Sequence, residues 1–290
     1  MLMMTLSSAS CRKTVGSGST AQLCMDVTVP ENFASNMIRV FAFDSSDGRK
    51  AGEMFLSDRS SDTFSHNSAF RSGHYEFVAY NFDIPDTFLR GESDIRTLEI
   101  FTKPVSDEIL SRFILGENGT VVYAPDRVIL GESYASLAGG DCGHLSIAAG
   151  ELTENWQLEV GADGAGYAAL AGCILTNEKI SWSHSGSVGS GSIYFDLQRQ
   201  ASTLAGNFNT FGHGDMSSAS ITVFVNNGEK ILNYTKSVGE LMKEASRSGS
   251  HKIVIDDRIV IPAPANVSQG GGGFSPSVGE WKTESGEILI

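Results

Sequence analysis

The sequence predicts an all-β protein made of two antiparallel β-sandwich domains, with one short helix in each. The first observation is strict alternation of apolar and polar residues, which turns one face of a strand to a core and the other to water. Alternation is clearest at residues 156–160, 193–197 and 221–225. The second observation is a set of turn signals between such segments. The third is the length of 290 residues, which suits about two domains.

Tight turns are predicted at four dipeptides, Asp47-Gly48, Asn118-Gly119, Asp163-Gly164 and Asn227-Gly228. Asp or Asn followed by Gly supplies the positive φ angles that two-residue hairpins need. Many short strands joined by such turns favour sandwiches of antiparallel sheets.

Two segments have the pattern of a helix. Ser106 is placed to cap a helix that begins with Asp107. The second helix is predicted from a capping box, Ser237 with Glu240, and from Gly249, which suits a left-handed end. Because strands follow both segments, we expect each helix to cross over one sandwich.

The domain boundary is predicted where the composition loosens, in the Ala-Gly-Gly-Asp segment at 138–141. This gives a signal remnant and tether over residues 1–19, an N-terminal sandwich over 20–138 and a C-terminal sandwich over 139–290. The Pro- and Gly-rich residues 262–276 are expected to form a loop before a last short strand at 287–290.

The charge of the chain excludes one class of partner. There are 21 Lys and Arg residues against 34 Asp and Glu residues, so the net charge is -13. A field of this sign repels phosphate, and nucleic acid is therefore not an expected partner. No apolar run approaches the ~18 residues of a membrane-spanning helix.

The N-terminus is similar to a lipoprotein signal. Ser8, Ala9 and Ser10 precede Cys11 as the small residues of a bacterial lipobox precede the lipidated cysteine. The basic n-region of a secretory signal is missing and the apolar part is short. The alternative is a disordered start with an incidental cysteine. We expect a lipid anchor at Cys11, followed by a flexible Gly/Ser tether.

Candidate catalytic and metal-binding residues are few. Cys142 and His144 would lie on one face of a strand, but zinc usually needs four ligands. His213 and Asp215 could place a base beside a carboxylate, although a loop between strands is the preferred interpretation. The Gly-x-Ser-x-Gly elbow of many hydrolases is not in the sequence. The sequence therefore predicts neither an enzyme nor a metal or other cofactor.

The tryptophans and cysteines give further expectations. Trp156 occupies the apolar register of its strand and is predicted to be in the core. Trp182, in a predicted loop between Ser and His, is the best candidate for an exposed aromatic contact. Cys24 and Cys173 are expected to be buried, and a disulfide between Cys142 and Cys173 stays open as an alternative.

Three segments carry a family resemblance. Residues 72–81, SGHYEFVAYN, are like a Gly-x-Tyr-x-hydrophobic-x-x-Tyr-Asn strand, and residues 208–212, FNTFG, match in the second half. Residues 270–281, GGGGFSPSVGEW, are like a Gly-rich ending that contains Trp. With the Cys11 start, the chain resembles the fimbrillin superfamily of Bacteroidales, and within it the anchor- and accessory-type fimbrial lipoproteins.

The resemblance implies two transthyretin-like sandwiches, export as an outer-membrane lipoprotein at the cell surface, and a role in building or anchoring fimbriae with other fimbrial subunits. It implies no catalytic residues. Arg12 and Lys13 depart from the acidic residues that follow the cysteine in many surface-exposed lipoproteins of this order. Retention on the periplasmic face therefore stays open.

Two functions remain open from the sequence. The first is a non-enzymatic fimbrial anchor or accessory subunit that supports adhesion and assembles by β-strand addition to a free sheet edge. The second is a surface module that binds a glycan or a host ligand. Under the first, Ile288, Leu289 and Ile290 form a pairing tail. Residues 287–290 span roughly 13 Å, which is short for filling a neighbour's groove, so the tail is expected to close its own domain.

Overall fold

The computed structural model describes residues 20–82, 84–112, 120–140, 142–186, 188–265 and 282–283. Its regular elements, in chain order, are β1 Thr20–Thr28, β2 Ile38–Asp44, β3 Lys50–Leu56, β4 Arg59–Ser60, β5 Thr63–Arg71, β6 Gly73–Asn81, β7 Thr87–Arg90, β8 Glu99–Thr102, α1 Asp107–Arg112, β9 Val121–Tyr123, β10 Ile129–Leu137, β11 Cys142–Ala148, β12 Gly150–Glu151, β13 Glu154–Asp163, β14 Leu170–Lys179, β15 Ser181–Ser183, β16 Ser190–Asp196, β17 Gln198–Arg199, β18 Thr203–Thr210, β19 Ser220–Asn226, β20 Ile231–Ser237, α2 Gly239–Ser248, β21 Lys252–Val260 and β22 Lys282–Thr283. The all-β prediction is confirmed.

The chain forms two compact units. Unit 1 contains the described residues up to 82 with Glu92–Arg96 and Val128–Glu151, and unit 2 contains Ile84–Gly91, the described part of Thr97–Arg127, and the described residues from Leu152 onward. The predicted boundary at 138/139 is therefore displaced. The cause is β11, which pairs along its whole length with β1 and so lies in unit 1.

Unit 1 is a sandwich of two sheets, with strand orders β11-β1-β5-β4 and β12-β10-β6-β2-β3. Alternation on β1 turns Leu23, Met25 and Val27 into the core, where they pack with residues of the second sheet such as Val40 and Phe77. Each such side chain contributes about 1.5–3 kcal/mol through burial.

Unit 2 is a second sandwich, with strand orders β17-β18-β13-β21 and β22-β20-β19-β14-β16-β9. A separate three-stranded sheet, β15-β8-β7, belongs to the same unit. Trp156 is fully buried in the core between the two larger sheets, as predicted. Residues around Val105 and α1 cover Ile174 and Phe224 on the outer face of the six-stranded sheet.

Among the described strands, three pairs are parallel, namely β1 with β11, β13 with β21, and β16 with β9. Most of the described strand pairs are antiparallel, as predicted, and these parallel pairs make the sheets mixed. Parallel neighbours need a crossover connection and cannot be joined by a hairpin turn, so turn dipeptides do not reveal them.

The helices differ from expectation in place and in capping. Both α1 and α2 lie in unit 2, instead of one in each unit. The predicted cap, Ser237, still pairs with Ser220 in the sheet. The N-cap of α2 is therefore Val238, whose apolar side chain has no atom that could make a capping bond. Gly249 ends the helix at φ 67°, as predicted.

Two of the predicted turns show why glycine is required. Gly164 has φ 80°, and a Cβ there would lie 2.2 Å from the carbonyl oxygen of Ile261. Gly48 also has a positive φ, 78°. The turn at Asn118-Gly119 and the last predicted strand at 287–290 lie outside the described residues.

Candidate functional site

The sequence-predicted site residues are only partly described. Cys11 and the tail residues Ile288, Leu289 and Ile290 lie outside the described residues. Trp182 is half-buried and lies on β15, paired with Ile100 of β8. The predicted open loop at Trp182 is therefore corrected, since its three-residue strand is part of a sheet.

The first candidate surface is the β21 edge, which we define as residues 252–260 with the flanking side chains of β20 and α2. β21 is nine residues long and pairs with β13 on one side, and no other described strand pairs with it. A long edge strand presents a row of unpaired backbone groups that a foreign strand can complete.

Backbone directions on β21 follow from one hydrogen bond. The N–H of Gln157 donates to the carbonyl of His251 at 2.9 Å, and Gln157 is paired with Lys252. In a parallel ladder, backbone groups of alternate residues then point to the partner strand. The groups of Ile253 and Ile255 face β13, whereas those of Val254 point away from the sheet.

Apolar side chains accompany these outward backbone groups. Val254 and Leu241 are 40% and 39% exposed, and both line a depression of about 340 Å³ between β20, α2 and β21. An ion pair between Lys236 and Asp257 crosses it. The β21 edge thus combines open backbone with a shallow apolar pocket, the two features that strand addition uses.

The edge of the six-stranded sheet that lies next to β21 carries a short strand from the C-terminal region. Lys282 and Thr283 of β22 pair antiparallel with Thr235 and Tyr234 of β20. β20 is therefore flanked by β19 on one side and by a segment of its own chain on the other.

The second candidate surface is the amide groove, a cavity of about 740 Å³ in unit 2. Its floor is the outer face of the sheet that contains β17, β18 and β13. Asn207 and Gln157 are directly paired there, with Lys252 beside Gln157 on β21. Gln198 is paired with Ala205 one step along the floor.

One wall of the amide groove is the segment 123–127, which follows β9. The Nδ2 group of Asn209 donates to the carbonyl of Pro125 at 3.1 Å and so ties this wall to β18. Asp126 Oδ2 accepts from the N–H of Asp86 at 2.7 Å. At one end Tyr194 donates its hydroxyl to Asp196 at 2.7 Å. The wall at 123–127 is therefore held to β18 through Asn209 and to the segment before β7 through Asp126.

A buried polar cluster lies elsewhere in unit 2. The Nδ1 atom of His213 is 2.8 Å from Glu178 Oε2, and these side chains are 4% and 0% exposed. Thr210 donates its hydroxyl to the same oxygen at 2.8 Å. The His213 ring meets Trp156 edge-on at 4.9 Å.

His213 thus does meet a carboxylate, but the partner is Glu178 and not the predicted Asp215. Asp215 instead accepts from the N–H of Ser217 in a short turn. The nearest hydroxyl in the cluster, that of Thr210, bonds to Glu178, so the groups are not arranged as nucleophile, base and orienting acid. Packing against Trp156 indicates that the cluster stabilises the fold.

The structure also shows the partner of His144, which the sequence had placed beside Cys142. The Nε2 atom of His144 lies 2.9 Å from Asp26 Oδ2. Hydrogen bonds from Ser65 and from His144 lower the pKa of Asp26 below its usual value. His144 is therefore in a carboxylate pair on the sheet surface.

The cysteines follow the register of their strands. Cys173 is a free, fully buried thiol whose pKa is raised by burial, so it is not bonded to Cys142. Cys24 is also free, but it is exposed, and the prediction that it is buried is wrong. The inner face of β1 is formed by the odd-numbered residues, including its neighbours Leu23 and Met25.

Solved structures with a similar fold include proteins described as adhesins, fimbrial proteins and polysaccharide-binding proteins. A presumed adhesin from Bacteroides ovatus aligns with a TM-score of 0.64 at 18% identity, covering 91% of this chain and 100% of that chain. The fimbrial anchor protein Mfa2 from Porphyromonas gingivalis aligns at 0.50 and 14%, covering 83% and 90%. A presumed polysaccharide-binding protein from Bacteroides thetaiotaomicron aligns at 0.55 and 11%, covering 83% and 90%.

The likeness confirms, at the level of the fold, the resemblance to fimbrillin-like proteins that the sequence indicated. No family model matches the chain, and no curated protein matches it. Within the described residues, none of the helices has the length and apolarity to cross a membrane.

Proposed function

We propose that the chain is a non-enzymatic fimbrial anchor or accessory subunit at the cell surface, which supports adhesion and assembles with other fimbrial subunits by β-strand addition. The observation that carries the proposal is the β21 edge, with its outward backbone and the exposed side chains of Val254 and Leu241. The fold shared with the anchor Mfa2 and with a Bacteroides adhesin supports it.

In this proposal a strand from the next subunit pairs with β21. Main-chain hydrogen bonds to the outward groups of alternate residues supply affinity, and the pocket beside Leu241 selects the side chain. Charged residues at both ends of β21, such as Lys252 and Arg258, limit unselective pairing of this edge.

The experiment replaces Val254 with proline. Val254→Pro removes an outward N–H without touching the ladder to β13, since proline is tolerated on an edge where its position faces solvent. We expect a folded protein with a nearly unchanged melting temperature that no longer co-purifies with fimbrial subunits from detergent extracts of the native cells. Val254→Thr is the matched control, because it keeps the N–H and the β-branched side chain. Normal co-purification of the folded proline variant would contradict the proposal.

The C-terminal tail is proposed to close its own sandwich. The pairing of Lys282 and Thr283 with β20 supports this, because it already directs the segment along an edge of unit 2. Ile288, Leu289 and Ile290 would continue the closure. Deleting residues 287–290 should lower the melting temperature of the isolated monomer; unchanged monomer stability with lost assembly would mean that the tail is a donor.

Attachment to the outer membrane through lipid on Cys11 is proposed from the small residues that precede it. The wild type should then fractionate with membranes, and Cys11→Ala should become soluble. A membrane-bound Cys11→Ala variant would refute the anchor.

The second candidate function is a surface module that binds a glycan. The half-buried position of Trp182 gives it little support. The observation in its favour is the amide groove, and the polysaccharide-binding protein from Bacteroides thetaiotaomicron has the same fold. The Val254→Pro variant keeps the groove, so it should still bind immobilised glycans if this function holds. The variant therefore separates glycan binding from fimbrial assembly.

A further inference from the structure

We infer that the amide groove of unit 2 binds a short neutral oligosaccharide, in an inference that rests on the second of the two proposed functions. The groove brings together side-chain amides from three strands of one sheet and closes them on one side with the segment 123–127. Its volume of about 740 Å³ lies within the range of roughly 300–1,000 Å³ found for small-molecule sites.

The side-chain amides on the floor are not engaged in hydrogen bonds with the described part of the protein. Within the described residues, the side chains of Gln157, Gln198 and Asn207 have no hydrogen-bond partner, and all three are exposed to the groove. Each amide offers two donors and one acceptor. A sugar hydroxyl is both donor and acceptor, so a row of such amides matches a ligand whose surface consists of hydroxyl groups.

The charges of the lining favour a neutral ligand. Four carboxylates, Asp86, Asp126, Glu159 and Asp196, line the groove against two cations, Arg127 and Lys252. Lys252 is paired with Glu159 at 2.8 Å, and Asp86 is paired with Lys103. The remaining charges of the lining are two carboxylates, Asp126 and Asp196, against Arg127. Uronic or sialic acids and phosphates would meet net negative charge, whereas carboxylates readily accept hydrogen bonds from uncharged hydroxyls.

The groove is held in place before any ligand arrives. Asn209 bonds both to Pro125 on the wall and to Asn155 on the neighbouring strand, at 3.1 and 2.9 Å. Tyr123 and Tyr194 pack edge to face at 5.9 Å at one end. Because the walls are already ordered, binding does not have to overcome the entropy cost of ordering them. This favours affinity for a polar ligand, which gains little free energy from the hydrophobic effect.

The test uses the full chain on an array of neutral and acidic oligosaccharides, followed by calorimetry with the neutral glycan that gives the strongest signal. We expect wild type to bind neutral glycans. The double variant Gln157→Ala/Asn207→Ala should lose at least about ten-fold in affinity, which corresponds to roughly 1.4 kcal/mol of binding free energy. Ala205→Trp, which fills the floor beside Gln198, should also abolish binding.

The matched control is Gln22→Ala/Asn67→Ala, the same two replacements at exposed sites on β1 and β5 of unit 1. It should bind as wild type does. Binding that all variants retain would overturn the groove as the site while leaving a glycan function elsewhere on the chain. Binding restricted to acidic glycans, or the absence of any glycan binding by wild type, would overturn the inference; the latter would also remove the second function.

Discussion

The described residues of each unit include an interior cluster of titratable side chains, and the two clusters are built differently. In unit 1, Arg39 is 12% exposed and forms 2.7 Å ion pairs with Glu53 and Glu92, which are 25% and 30% exposed. In unit 2, His213 and Glu178 are almost fully enclosed. The first cluster opens to water through its carboxylates, and the second does not.

Arg39 also has more partners. Its guanidinium donates to the hydroxyl of Tyr80 at 2.8 Å and lies 4.5 Å from the ring centre of Phe41. Burial acts to lower the pKa of Arg39, but hydrogen bonds to Glu53 and Tyr80 outweigh it and raise that pKa. Arg39 therefore stays charged, and its charge is shared among several groups.

His213 has one carboxylate within hydrogen-bond distance, that of Glu178. Its Nε2 atom has no hydrogen-bond partner within the described residues, and Glu154 is 3.8 Å away. The comparison teaches that enclosure and the number of partners together determine how much stability is lost when one residue of a cluster is replaced. Removing a partner from a closed pair strands a buried polar group, whereas water can replace part of a half-open network.

The largest effect is expected from Glu178→Ala. It leaves the ring of His213 without its hydrogen-bond partner in a closed site, whereas Thr210 keeps the carbonyl of Gly212 as an acceptor. The free energy of unfolding of unit 2 should therefore fall by about 3–5 kcal/mol. Tryptophan fluorescence in a denaturant titration measures this, because the segments of unit 1 contain no tryptophan.

Two variants accompany that measurement. Glu178→Gln keeps an acceptor and should lose less than Glu178→Ala. Glu244→Ala, at an exposed position of α2, should be close to wild type. Equal stability of Glu178→Ala and Glu244→Ala would show that the enclosed pair contributes nothing.

A smaller effect is expected from Arg39→Ala in unit 1. Glu53 and Glu92 regain water, so the loss should be about 2 kcal/mol, the value of hydrogen bonds to a charged group together with the packing of the side chain. Far-UV circular dichroism follows the transition that tryptophan fluorescence does not report. Arg49→Ala, at a side chain that is 79% exposed, is the control and should change little. A loss larger than that of Glu178→Ala would reverse the comparison.

The smallest effect is a dependence on pH. The hydrogen bond from Arg39 holds the pKa of Glu53 below its usual value of 4.5. A lowered folded-state pKa contributes stability that is present above the unfolded pKa and is lost as the pH falls through the folded one. Wild type should therefore melt higher than Glu53→Gln near pH 6, and the difference should shrink towards about pH 3.

The control for this measurement is Glu31→Gln, at an exposed position of unit 1. Its melting temperature should parallel that of wild type across the same range. A constant difference between wild type and Glu53→Gln at every pH would indicate that the Glu53 contact does not depend on ionisation.

Strands with clean alternation were predictable and others were not. β5 reads TFSHNSAFR, and its inner face carries His66 and Ser68 between Phe64 and Phe70. Polar residues at half-buried inner positions hide the period of two, so apolar alternation does not reveal this strand. Cys24 shows the opposite case, since a continuous apolar run at 23–25 leaves the register undecided until the strand is paired.

The candidate sites were less predictable than the strands. Gln157 and Asn207 are separated by fifty residues of chain and become neighbours only because β13 pairs with β18. Val254 lies on β21, and nothing in its local sequence indicates that this strand is an edge. The pairing of His213 with Glu178 likewise depends on a bridge between β14 and the loop after β18.

The sequence by itself determined which face of each alternating strand is inside, as at Trp156, and where glycine permits a turn, as at Gly164 and Gly249. These properties belong to a few consecutive residues, so local pattern suffices. Only the tertiary structure decided that β1 pairs with β11 and β13 with β21 in parallel. The entropy of closing a loop grows slowly with its length, so distant partners are selected by how well whole sheets bury their apolar faces, which no local pattern contains.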